Sequence, residues 1–327
     1  MAALLALALL LAAFGLFALL SRLEQSLDKV PEGAGQALTR EAAVARSALY
    51  YNGEKYVRKE RLMTLLILGI DEAERTISGS YRNSGQADFL TLAVFDQKAK
   101  TCTLIQLNRD TIAEVPVLDT FGTMIGYQKQ QLALAHTYGN GLEVSCVNTV
   151  DAVSRFLYGI KIDNYFALTM DAIPVVNDLV GGVVVTVEDD FTGVDDTLVM
   201  GESVLLDAGN VEHFVRSRGS MPDDKTNVNR MQRQRAYLSG FFEALRRSLA
   251  EQDGFVFDAY AEVTDYLVSD CSVYDLNDYA TRFSRFELSD VLVPEGESVL
   301  GERYMEFYPD EDALQRLVLN VFYERAR

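Results

Sequence analysis

Leu65-Leu-Ile-Leu-Gly-Ile-Asp71, Phe89-Leu-Thr-Leu-Ala-Val-Phe95 and Thr101-Cys-Thr-Leu-Ile-Gln-Leu107 are three short apolar runs, each bounded by polar residues. Runs of this length and setting predict buried strands. The five residues Asp96-Gln-Lys-Ala-Lys100 between the second and third suit a hairpin loop. Downstream, Val144, Val147, Val150, Val153, Phe156 and Leu157 recur at helical spacing and predict a helix over Glu143–Leu157. A strand is expected near Tyr165–Thr169. A helix capped by Asp171 then runs to Val180 and stops at Gly181-Gly182, and a strand follows over Val183–Val187. Asn229–Leu249 reads as a long helix, and Glu311–Arg325 as a last one capped by Asp310. Strands mixed with helices, partly joined by hairpins, predict an α/β (α+β) fold with a mixed β-sheet sandwiched by helices.

The composition sets wider bounds. The chain has 327 residues, 49% hydrophobic and 24% charged, with 22 Gly and 6 Pro, which supports a large core and excludes a mainly disordered chain. Its 48 acidic against 30 basic residues leave a net charge of -18, so anions can be held only where bases gather locally, and general binding to nucleic acid is disfavoured. His136 and His213 are the only histidines, too few for a histidine-built zinc site. Cys102, Cys146 and Cys271 lie far apart and are expected as small buried residues.

Ala2–Leu20 carries no charged residue, and nineteen helical residues span about 29 Å, the thickness of a bilayer core. No small-x-small cleavage site follows at Leu19-Leu-Ser-Arg-Leu23, so a retained anchor over residues 1–21 is expected. Residues 22–61 then form a stalk and linker helix, and 62–327 a single domain.

Bases gather in one place. Arg216, Arg218, Lys225, Arg230, Arg233 and Arg235 put six cations into twenty residues. If Phe214–Arg218 is extended, Arg216 and Arg218 share a face, whereas Arg230 and Gln234 share a side of the following helix. Guanidinium forks near a helix N-terminus match phosphate oxygens, and a solvated basic face is the plainer alternative. Asp71 ends one strand and Asp88 opens the next, so the two carboxylates can share a divalent cation; Arg109 lies at the same rim. Glu188-Asp-Asp190 and Asp195-Asp196 miss the calcium-loop spacing and are expected in a solvated loop.

Taken in order, Leu65–Asp71, Ala87-Asp88-Phe89, Asn108-Arg-Asp-Thr111, Ala135-His-Thr-Tyr-Gly139, Asp163-Asn-Tyr165, Leu179-Val-Gly-Gly-Val183, Val215-Arg-Ser-Arg218 and Asn229-Arg-Met-Gln-Arg-Gln234 resemble the LytR-CpsA-Psr (LCP) family over roughly Leu65–Leu245. The resemblance implies an apolar tunnel for a polyprenyl chain between sheet and helices, with the helix near the C-terminus beside it. It also implies a single-pass protein of the bacterial cell membrane, its domain on the extracytoplasmic face. There it would move a glycopolymer from polyprenyl-pyrophosphate to peptidoglycan with Mg²⁺. By motif match, Asp71 and Asp88 would hold the metal. Arg109, Arg216 and Arg218 would act in catalysis and, with Arg230, bind pyrophosphate oxygens, with Gln234 at the head group. Four positions depart from the family pattern: Gln86 stands for an Arg, Gln131 for a Lys, Ala133 for an Asn, and Asn108 for a Pro. Arg82 or Lys129 could replace the lost charge. Two other functions use the same residues: a non-catalytic polyprenyl-phosphate binding protein of the envelope, and a lipid pyrophosphatase with water as nucleophile.

Overall fold

The computed structural model describes residues 49–72, 81–217 and 227–326. In chain order the elements are β1 (Leu49–Tyr51), β2 (Glu54–Arg58), β3 (Leu62–Ile70), β4 (Ala87–Asp96), β5 (Thr101–Leu107), β6 (Ile112–Leu118), β7 (Met124–Gln131), α1 (Glu143–Phe156), β8 (Asn164–Thr169), α2 (Ala172–Leu179), β9 (Val183–Thr186), β10 (Ser203–Leu206), α3 (Val211–Arg216), α4 (Val228–Glu251), α5 (Phe255–Val263), β11 (Leu267–Ser269), α6 (Val273–Phe283), β12 (Glu287–Leu292), β13 (Gly296–Leu300), β14 (Met305–Pro309), α7 (Glu311–Phe322) and β15 (Tyr323–Arg325). A six-stranded sheet in the order β11-β8-β3-β4-β5-β12 forms the centre. It is mixed: β3 pairs antiparallel with β4 and parallel with β8, and β5 pairs antiparallel with β4 and parallel with β12.

Strand β3 reads as an unbroken apolar run because both of its faces are covered. Met63, Leu65 and Ile67 point into one core, lined by α2 to α6; Leu66, Leu68 and Ile70 point into the other, lined by α1, α7 and β6. The expected mixed sheet flanked by helices is therefore present. The β4–β5 loop is one residue shorter than expected, because Asp96 ends β4 and its Oδ1 accepts from the Lys98 and Ala99 amides at 2.9 and 2.8 Å. Gly181 and Gly182 stop α2 in left-handed backbone (φ 75° and 85°), and a Cβ on Gly182 would lie 2.6 Å from the Leu206 carbonyl.

Several expectations are corrected. Asp171 stands before α2 with helical dihedrals and makes no side-chain cap, whereas Asp310 does cap α7, accepting from the Ala313 amide at 2.8 Å. Helix α1 turns Val147 to solvent and buries Cys146, Thr149, Ala152 and Val153. Residues 49–58, assigned to the stalk, form the hairpin β1–β2, and β2 pairs with the last strand β15, so the folded unit begins before residue 62. The helix expected to run to Arg325 ends at Phe322, and α7 packs on the α1 side of the sheet, away from α2–α6. Cys102, Cys146 and Cys271 are buried and free. Among the described residues no helix is long and apolar enough to cross a membrane; the expected anchor, residues 1–21, lies outside them.

Candidate functional site

Asp88 owes its position to an irregularity in the sheet. Along β3–β4, Gly69 faces Phe89 but Ile70 faces Ala87, so Asp88 is the extra residue of a β-bulge. A bulge re-aims the side chain it carries. Asp88 thereby meets Arg109, which follows β5, and Arg230, in the first turn of α4. Arg109 Nη1 donates to Asp88 Oδ1, and Arg230 Nη1 donates to Oδ2 at 3.5 Å. All three side chains are only 10–13% exposed, so the cluster is a largely desolvated carboxylate held between two guanidinium groups.

The departures from the family pattern lie around this cluster. Gln86 Oε1 accepts from Arg109 Nη2, and the Gln86 carbonyl accepts from the Asp71 amide at 2.8 Å. An acceptor thus stands where the family has a cation, and it orients Arg109. Asn108 Oδ1 accepts from the Asp110 amide at 3.0 Å and from Asn227 Nδ2 at 3.3 Å, while Asn227 Oδ1 accepts from Arg230 Nε at 2.7 Å. The loop after β5 is therefore tied to the start of α4. Gln131 Nε2 donates to Asp110 Oδ1 at 3.1 Å and to the Met305 carbonyl at 2.7 Å, which joins the β13–β14 hairpin to the rim. Arg82 stacks 3.8 Å over the Tyr138 ring, and Lys129 is exposed opposite Glu114 on β7.

A second, more exposed pair lies beside the first. Asp71 Oδ1 accepts from Arg216 Nη2 at 3.1 Å, and Arg216 also pairs with Glu212 one turn back. Arg216 is the last residue of α3, so the extended reading of Phe214–Arg218 is overturned. Val211, Phe214 and Val215 enter the core at i, i+3 and i+4, which is helical spacing. A shared strand face for Arg216 and Arg218 goes with it, and Arg218, like Lys225, lies outside the described residues. Arg230 and Gln234 do share a side of α4, both turned to the sheet: Gln234 Oε1 accepts from Gln106 Nε2 at 3.1 Å.

Two features escaped the sequence reading. Thr91 and Gln106 are partners across β4–β5, both fully buried on the face under α4. Gln106 bonds Gln234 and Arg235, whereas Thr91 Oγ1 has no hydrogen-bond partner among the described residues; Arg109 Nε pairs with Asp110 Oδ1 at 3.5 Å. In an apolar strand such residues give no local signal. Arg233, one of the six clustered bases, is structural. It is 4% exposed, donates to the Phe214 and Ser217 carbonyls and pairs with Asp189, so Asp189 is not part of a solvated loop. Arg233→Leu is expected to cost ~3 kcal/mol, read as a lower urea midpoint, because it strands Asp189 and two carbonyls.

His136, behind the cluster, is buried, and Nδ1 faces the Gly85 carbonyl at 2.8 Å. Burial lowers its pKa to about 4, from an ordinary 6.5. The unfolded chain therefore takes up this proton first as pH falls. Stability attributable to His136 is lost from pH 6.5 downward, reaching about 3 kcal/mol below pH 4. His136→Gln should flatten that part of the urea-midpoint profile between pH 7 and pH 4. His213, by contrast, is exposed and pairs with Asp195 at 2.8 Å.

The donor set suits magnesium in one way only. Among the described residues no three His, Cys, Asp or Glu side chains group together, so a metal site built wholly from protein is not offered. Magnesium commonly takes one or two carboxylates and completes its shell with water and phosphate oxygens, and Asp71 and Asp88 at adjacent strand ends fit that pattern.

Comparison with known proteins agrees with this architecture. Residues 33–317 match the model of the LytR_cpsA_psr family. Polyisoprenyl-teichoic acid–peptidoglycan teichoic acid transferase TagU of Bacillus licheniformis is 27% identical over 177 residues, 54% of this chain and 50% of the relative, so the match spans half of that protein's length. TagU of Enterococcus faecalis is 25% identical over 258 residues, 78% of this chain and 77% of the relative. A solved structure of TagT bound to LIIa-WTA superposes with a TM-score of 0.60 at 20% identity, covering 80% of this chain and 89% of that one. With its family model matched over most of its length and its fold shared, this chain belongs to the LytR_cpsA_psr family.

Proposed function

We propose that this protein is a membrane-anchored phosphotransferase that moves a glycopolymer from polyprenyl-pyrophosphate to peptidoglycan on the extracytoplasmic side of a bacterial membrane. The observation that carries the reading is the Asp88 carboxylate clamped between Arg109 and Arg230 at the end of the sheet. Two guanidinium forks converging on one anion make a phosphate-shaped site, and an incoming pyrophosphate would take over the contacts that Asp88 now supplies. Thr91 Oγ1, buried beneath α4, is a donor without a hydrogen-bond partner among the described residues. The relatives' names, and the LIIa-WTA bound in the TagT structure, support the substrate class.

Asp71 and Asp88 would hold magnesium, whose charge would offset that of the pyrophosphate. Arg109 and Arg230 would bind the oxygens of the attacked phosphoryl group, with Arg216 at the open side and Gln234 at the head group. Attack of an acceptor-sugar hydroxyl on the phosphorus nearer the glycopolymer breaks the P–O bond to the lipid phosphate. The glycopolymer phosphate joins the acceptor oxygen, polyprenyl phosphate leaves, and the hydroxyl proton passes to solvent. Stabilising that charge needs fixed cations rather than a histidine, consistent with both histidines lying outside the cluster. The apolar layer between the sheet and α2–α6, which includes Phe89, Phe166, Phe214 and Phe241, is the place for the prenyl chain.

One observation favours a second reading: Arg109 is already satisfied by Asp88 and Gln86, which suits a protein that retains polyprenyl phosphate without turnover. The deciding assay incubates the full-length protein with a labelled polyprenyl-pyrophosphate glycopolymer, Mg²⁺ and peptidoglycan. Label on peptidoglycan, with release of polyprenyl phosphate, is the expected result. Release without an acceptor product indicates a pyrophosphatase, and bound lipid without release indicates the binding protein.

A further inference from the structure

Sixteen residues along α4 from Arg230, about 24 Å at the helical rise, the end of α4 and the turn after α6 line an open surface pocket of about 550 Å³. Arg246, Arg247 and Arg285 line it, with Glu243 the one carboxylate and Leu249 on the apolar side. Glu243 answers Arg246 at 3.8 Å, whereas Arg247 and Arg285 are exposed and make no hydrogen bond or ion pair among the described residues. Three cations around one concave space are unexpected in a chain with a net charge of -18, whose many carboxylates could have paired with them. The end of α4 does not account for the grouping either, since Arg285 comes from a separate segment.

Exposed guanidinium groups brought to one pocket from two segments are donors suited to a tetrahedral oxyanion. We infer that this pocket is a second phosphate site, remote from Asp88, that takes a phosphate group from a phospholipid head group or as free phosphate. Leu249 offers the apolar contact that a lipid's glycerol and acyl portion would use. The inference is independent of the chemistry proposed at Asp88.

Arginine-selective modification by phenylglyoxal, followed peptide by peptide by mass spectrometry, tests it on the full-length protein in non-ionic detergent. The probes are inorganic phosphate and short-chain phosphatidylglycerol, with chloride at matched ionic strength as the reference. At least fivefold slower modification of Arg247 and Arg285 with either probe is expected. Protection by phosphatidylglycerol alone identifies the head group as the source, and protection by both shows that free phosphate suffices. Arg285→Gln, an exposed change that should leave the fold intact, should return Arg247 to its unprotected rate. Unchanged rates at Arg247 and Arg285 with both probes overturn the inference, whatever happens at Arg109 and Arg230. So does protection of Arg247 that persists in the Arg285→Gln protein.

Discussion

Asp88→Ala is expected to destabilise the folded protein by ~3–5 kcal/mol, the usual cost of removing one partner from a buried ion pair. Arg109 and Arg230 would be left facing each other, mostly desolvated, with their shared counter-charge gone. At roughly 2–4 °C per kcal/mol for a domain of this size, Tm should fall by about 6–20 °C. Because the proposal has pyrophosphate occupying the place of this carboxylate, added pyrophosphate should raise Tm more in the variant than in the parent protein. Differential scanning calorimetry of both proteins, with and without pyrophosphate, checks both parts. An unchanged Tm, or equal increments with the anion, would show that Asp88 does not hold these arginines together.

Arg109→Ala should lower kcat/KM for glycopolymer transfer by ~10²–10³, or about 3–4 kcal/mol of transition-state stabilisation, the scale seen when one preorganised donor to a developing oxyanion is removed. Arg109→Lys should recover only part of this, because an ammonium keeps the charge and loses the planar fork. Gln86 sharpens the expectation: it holds the second nitrogen of Arg109 and so fixes the plane of the guanidinium. Gln86→Ala should therefore lower kcat while leaving the Mg²⁺ dependence in place. Equal rates for the parent and Arg109→Ala proteins would remove Arg109 from the reaction.

The central strands could be read from the chain because β3, β4 and β5 are apolar runs between polar turns, covered on both faces. The ends of elements carried less information. Phe214-Val-Arg-Ser-Arg218 is composed like a strand, yet the spacing of Val211, Phe214 and Val215 against the core makes it helical up to Arg216. Within the site, the residue types were legible and their partners were not. Asp88 can be recognised as a carboxylate at a strand start, but the bulge that turns it to Arg109 depends on register with Gly69 and Ile70. Arg230 and Arg233 are three residues apart in one basic cluster. Only packing separates Arg230, which faces Asp88, from Arg233, which clamps the end of α3. Gln131 looks like a lost cation until its bond to the Met305 carbonyl brings a hairpin 174 residues away to the rim.

The Asp88–Arg109–Arg230 cluster should receive the phosphate end of a polyprenyl lipid. Native mass spectrometry of the full-length protein, purified from its own membrane in mild detergent, tests it most directly. The parent protein should carry bound polyprenyl phosphate or pyrophosphate, and most of that species should be lost when Arg109 and Arg230 are both changed to Ala. A parent protein carrying no prenyl lipid, or equal retention by the double variant, would contradict it.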